Sequence, residues 1–114
     1  MKLPSKELLS EVFGREVSEI KNTCTDKEIV IIAYFDGFRQ AFTMNIYELA
    51  FKCKEWAFDK GFVLKSYKKQ GALSGTYHYA IDINENVAEW LSNTEQEAIF
   101  KACEWIMEQT KCGY

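Results

Sequence analysis

The sequence predicts an α+β fold: an antiparallel sheet of four to five strands packed against helices, in the order α-β-β-β-α-β-β-α. Three observations carry that expectation. Ser5 and Thr94 each stand just ahead of a stretch whose apolar residues recur at helical spacing, the pattern of a capped amphipathic helix. Asp36-Gly37 separates two runs rich in Ile, Val and aromatic residues, a strong short-range hairpin signal. The 114 residues, 47% hydrophobic with one proline, suffice for one core and are too few for two ordinary domains, so residues 1–114 are read as a single α+β domain.

Taken in order, Ser5 caps a helix over Lys6 to Phe13 that Gly14 ends, with Leu8, Leu9, Val12 and Phe13 as its docking stripe. From Val17 the pattern is ambiguous, and Ile20 to Cys24 reads as a short edge strand turned by Thr25-Asp26-Lys27. Glu28 to Phe35 lacks sustained polar alternation and reads as a central strand covered on part of both faces. A two-residue Asp-Gly turn then leads into Phe38 to Met44, with Phe38, Gln40, Phe42 and Met44 on one face.

Asn45, with Glu48 three positions on, starts the second long helix, and Gly61 stops it. Ile46, Leu49, Ala50, Cys53, Trp56 and Ala57 form its inward stripe. Tyr47, Phe51 and Phe58 fall outside that stripe, so either other elements wrap this helix or it shows aromatic area to a partner. Phe62 to Lys69 and Thr76 to Ile83 form a second hairpin around the loop Gln70 to Gly75. With Lys69 opposite Thr76, Phe62, Leu64, Ser66 and Lys68 share the core face with Ile83, Ile81, Tyr79 and Tyr77. Val63, Lys65, Tyr67 and Lys69 then share the solvated face with Asp82, Ala80, His78 and Thr76. Asn84 to Asn93 fits either a short helical turn or an irregular crossing. The last helix begins at the capping box Thr94 to Glu97 and buries Ala98, Ile99, Ala102, Cys103, Ile106 and Met107. Phe51-Lys52-Cys53-Lys54-Glu55-Trp56 resembles Phe100-Lys101-Ala102-Cys103-Glu104-Trp105, but the flanks do not repeat, so similar packing of two helices explains it better than duplication.

Chemistry is thinly represented. The formal charge of -3 argues against a domain devoted to nucleic-acid backbones, so nucleic acid is a disfavoured partner. The longest apolar stretch, Ile29 to Phe35, falls far short of the about 20 residues of a membrane span, and the opening Met1-Lys2-Leu3-Pro4 leads into no apolar signal core. A cytoplasmic protein that does not enter the membrane is expected. Cys24, Cys53, Cys103 and Cys112 include no C-x-x-C pair. Their even count permits two disulfides, but reduced thiols, with Cys53 and Cys103 as small buried hydrophobes, fit an intracellular chain better. No metal or cofactor is expected: the cysteines and His78 offer no local ligand pair, and no phosphate-binding, dinucleotide or zinc-protease motif occurs. Gly71-Ala72-Leu73-Ser74-Gly75 is turn chemistry rather than a nucleophile elbow.

The opening α-β-β-β-α order is similar in topology to double-stranded-RNA-binding domains. The helix after the sheet starts Asn45-Ile46-Tyr47-Glu48, however, with no basic residue before Lys52, where such a domain needs lysines for phosphate. No function is carried over from that likeness. The expected function is a non-catalytic protein-binding module: an inhibitor, an adaptor or a small accessory protein from a bacterium or mobile element. Two surfaces are candidates. Lys65, Tyr67, Lys69, Leu73 and His78 would meet another protein with an acidic surface, and Phe51, Phe58 and Phe100 would form a homodimer. The alternatives are single-stranded nucleic-acid binding through the 62–83 hairpin, or an enzyme whose site gathers around His78, the sole histidine.

Overall fold

The computed structural model describes residues 3–24, 29–71, 75–82, 89–92 and 94–111. Its elements run α1 (Lys6–Phe13), β1 (Val17–Cys24), β2 (Ile29–Phe35), β3 (Gln40–Asn45), α2 (Ile46–Asp59), β4 (Leu64–Gly71), β5 (Gly75–Asp82), β6 (Glu89–Ser92) and α3 (Glu95–Lys111). The strands are antiparallel, as expected, but the described residues form six of them, divided into two sheets of order β1-β2-β3 and β4-β5-β6. The added strand, β6, lies in the segment whose sequence pattern fitted a helical turn.

Local cap chemistry starts all three helices. The Ser5 hydroxyl accepts from the Leu8 amide at 3.1 Å, the Asn45 carbonyl oxygen from the Glu48 amide at 2.8 Å, and the Thr94 hydroxyl from the Glu97 amide at 3.2 Å. Each side chain satisfies an amide that the first helical turn leaves without a partner. Gly14 ends α1 in the left-handed region, at φ 68°, where a side chain would be strained.

The first sheet departs from the sequence pattern at two places. In β1, Val17 pairs with Phe35 but Glu19 pairs with Tyr34, so Ser18 is an extra residue. This bulge resets the alternation, which is why the strand begins well before Ile20, where the pattern first became readable. The β2–β3 connection is four residues long rather than two, because Phe35 pairs with Gln40. Asp36, Gly37 and Phe38 all take positive φ. The Gly37 amide donates to the Ser18 hydroxyl at 2.8 Å, tying this loop to the bulge.

Ile31, Ala33 and Phe35 of β2 are buried beneath the helices, while Val30, Ile32 and Tyr34 on the other face stay half-buried. α1 packs on β1, α2 on β2 and β3, and α3 on all three strands of the second sheet; α2 and α3 pack against each other. Leu8, Ile31, Leu49, Cys53, Leu64, Cys103 and Ile106 belong to one continuous buried cluster. The Cα envelope of 47 × 44 × 17 Å is thin enough for one helix layer on one strand layer. The outer surface of the helices therefore has no further layer to cover it.

Candidate functional site: the outer face of α2

α2 and α3 occupy equivalent places. Each follows a three-stranded antiparallel meander, and they meet where the Cys103 thiol donates to the Cys53 carbonyl oxygen, 50 residues apart, at 3.4 Å. At that spacing five inward positions match, Leu49 with Ile99, Ala50 with Phe100, Cys53 with Cys103, Trp56 with Ile106 and Ala57 with Met107, all buried, while Ile46 falls on Gln96 and Ala98 and Ala102 fall on exposed Glu48 and Lys52. The likeness of Phe51–Trp56 to Phe100–Trp105 is one residue out of step with this equivalence. It sets Phe51, 62% exposed, on Phe100, 2% exposed. Phe100 therefore belongs to the core and is corrected out of the assembly surface.

The outer positions do not match. Tyr47, Phe51 and Phe58 are 68%, 62% and 65% exposed. Their i, i+4, i+11 spacing places them within an arc of about 40° on a helix of 3.6 residues per turn. The corresponding residues of α3 are Glu97, Lys101 and Glu108. Helix packing of the same kind thus tolerates charge at these positions, so the rings on α2 are not demanded by the fold. Tyr47 completes a stripe of which the sequence reading assigned only Phe51 and Phe58 to the site.

The second candidate surface changes composition because the hairpin register differs by one residue from expectation. Gln70, not Lys69, pairs with Thr76, and the strands continue to Gly71 and Gly75, so the connection is three residues rather than six. Turn length fixes register, and a slip of one reverses the faces of one strand relative to the other. His78 consequently pairs with Lys68, on the face of buried Leu64, and no longer lies across from Tyr67. Tyr77, Tyr79 and Ile81 take the register positions opposite Lys69, Tyr67 and Lys65. Lys65 is exposed. Leu73 lies outside the described residues, as do Cys112 and most of the segment 84–93.

Two further sets of polar groups hold the fold, while the buried Trp56 Nε1 makes no hydrogen bond among the described residues. The Ser5 hydroxyl and amide both donate to the Glu104 carboxylate, at 2.8 and 3.2 Å, tying the start of α1 to α3. Cys53 and Cys103 are free, buried thiols. The contact with the Cys103 side chain, followed by burial, holds the Cys53 thiol well above its ordinary value of 9.0, the opposite of what an activated nucleophile needs. Among the described residues no group of three His, Cys, Asp or Glu is placed to hold a metal ion, and no helix is long and apolar enough to cross a membrane. No protein-family model matches the sequence, and neither a curated protein nor a solved structure matches it significantly.

Proposed function

We propose that this chain is a non-catalytic protein-binding module of the cytoplasm, an inhibitor, adaptor or small accessory protein, and that α2 is its assembly surface. One observation carries the reading: aromatic rings occupy the outer positions of α2 that are charged on the equivalent α3. An antiparallel two-fold pairing of α2 with a second copy sets Tyr47 against Phe58 at both ends. With a rise of about 1.5 Å per residue, it also leaves Phe51 about 2 Å from the axis along the helix. The stripe is therefore complementary to itself.

Area sets the strength. Three rings of about 150–250 Å² each, two-thirds exposed, offer roughly 400 Å² per copy, against about 800 Å² per partner in a standard stable interface. A concentration-dependent homodimer follows, with its affinity in the micromolar range or weaker. Sedimentation velocity under reducing conditions tests this: a reversible monomer–dimer equilibrium is expected, and a strict monomer at hundreds of micromolar would remove the homodimer.

The β4–β5 register supports a second surface. Lys65, Tyr67 and Lys69 share register positions with Tyr77 and Tyr79, a basic and aromatic combination suited to another protein with an acidic surface. Single-stranded nucleic acid is the alternative ligand for such a face. A labelled oligonucleotide titrated at two salt concentrations separates them, because backbone binding weakens steeply with salt.

A further inference from the structure

Sheets end in edges, and proteins guard them with charge, bulges, shortness or cover. Three of the four edges here carry such a device. β1 has the bulge at Ser18 together with Glu19 and Lys21; β4 has Lys65, Lys68 and Lys69; β6 is four residues long and includes Glu89. β3 has none. It runs without a register shift from Gln40 to Asn45, contains no charged residue or proline, and touches no described element except β2 and α2. Gln40, Ala41, Phe42 and Thr43 are all exposed.

Beside this edge, on its helical side, lies a cavity of about 290 Å³ lined by Phe13, Arg15, Phe35, Phe42, Met44 and Lys52, and by Glu48, whose carboxylate accepts from the Asn45 side-chain amide at 3.2 Å. Phe42 is 50% exposed beside the cavity. The Arg15 guanidinium lies 4.7 Å from the centre of the Phe35 ring and pairs with Asp36 and Gln40, so its charge and its donors are engaged. Lys52, in contrast, makes no ion pair or hydrogen bond among the described residues.

We propose that β3 is a strand-addition site for an extended segment of another protein, with apolar side chains at alternate positions and a carboxylate that reaches Lys52. An added strand extends the β1-β2-β3 ladder through the β3 backbone groups that point away from β2, and every second side chain falls on the face of Phe42, where the cavity receives one. The volume lies at the lower bound of small-ligand pockets, which suits a side chain better than a whole ligand. A second copy is the wrong occupant. Pairing β3 with β3 about a two-fold sets Phe42 against Phe42 or, one register on, against Met44, so cavity wall meets cavity wall and both cavities stay unfilled.

The site rests on the protein-binding reading but uses a surface separate from the α2 stripe. The probe is a short fluorescein-labelled peptide in which leucine alternates with threonine and aspartate ends the chain. Saturable binding by anisotropy is expected, with amide shifts at Gln40 to Asn45 and at Lys52. Ala41→Lys, which restores a guarding charge, should weaken binding by about tenfold with melting temperature unchanged, and Thr43→Lys serves if it melts early. Lys52→Glu should weaken the aspartate-ended peptide and spare a version that ends in asparagine amide, which carries no carboxylate. Absence of binding at millimolar peptide, shifts confined to the outer face of α2, or full affinity in a folded lysine variant would each overturn the site. Sedimentation of the same samples reads α2 assembly separately, so failure of one surface is distinguishable from failure of the other.

Discussion

α2 and α3 cover two meanders of the same order, and they differ where the fold is indifferent. Inward, five equivalent positions are apolar and buried on both; outward, α2 carries Tyr47, Phe51 and Phe58 where α3 carries Glu97, Lys101 and Glu108. The shared inner pattern reports packing, and the unshared outer pattern reports what each helix meets. Exposed single hydrophobes are ordinary on protein surfaces, but three aligned rings beside an equivalent helix with none form a directed patch.

The strongest way to break the comparison is to ask whether both halves draw on one core. Leu49→Ala and Ile99→Ala, at equivalent buried positions, should each cost about 2–5 kcal/mol and lower one shared denaturant transition. Two separate transitions would divide the buried cluster into independent halves.

Transplanting the outer face of α3 sharpens it. Phe51→Lys with Phe58→Glu should abolish or weaken self-association by at least about tenfold, near 1.4 kcal/mol, with monomer stability altered by about 0.5 kcal/mol or less. Unchanged sedimentation would dissociate the aromatic stripe from assembly. The caps come next: Asn45→Ala and Thr94→Ala should each cost about 1 kcal/mol in urea unfolding, and their effects should add because the sites share no partner.

A smaller effect is expected in alkaline solution. The Cys53 pKa is raised in the folded chain, first by Cys103 and then by burial, so the native state holds its proton after the unfolded chain has released it. Its contribution to stability is full below the unfolded thiol value and falls as pH rises through the interval between unfolded and folded values. Stability should therefore decline less steeply above pH 9.0 in Cys53→Ala than in the wild type, whatever the cost of the lost packing; parallel profiles would count against the thiol as the cause. Smallest of all, Lys65→Glu with Lys69→Glu should change stability by about 0.5 kcal/mol or less while slowing association with an acidic partner at low salt. A large loss of stability would mean that these lysines hold the strand rather than dress its surface.

Much of this was legible in the chain because its causes are local. A cap needs one side chain and an amide three residues on, so Ser5, Asn45 and Thr94 marked their helices. The inward stripes of α2 and α3 followed from periodicity alone. The failures share a different cause. Ser18 adds a bulge and Gln70 rather than Lys69 meets Thr76, both matters of where a strand lies against its neighbour. β6 gains its hydrogen-bond partners from β5, outside its own four residues, so the spacing of Trp90 and Leu91 did not reveal it. Of the α2 surface, Phe51 and Phe58 were readable as leftovers of the inward stripe, whereas the cavity under Phe42 was not, because Phe13 and Arg15 reach it from a distant part of the chain.

By itself the sequence determined the α+β class, the order of the three helices and first five strands, and the inward stripes of the helices, since each is set by spacing within a few residues. Tertiary structure alone decided register, the division into two sheets, and which rings are covered. Phe51 and Phe100 stand in nearly the same hexapeptide, and one is exposed while the other is buried, because the two hexapeptides sit one residue, about 100°, out of step on helices that pack in equivalent places. Which side of each helix turns inward is settled by the whole core, through contacts between residues far apart in the chain.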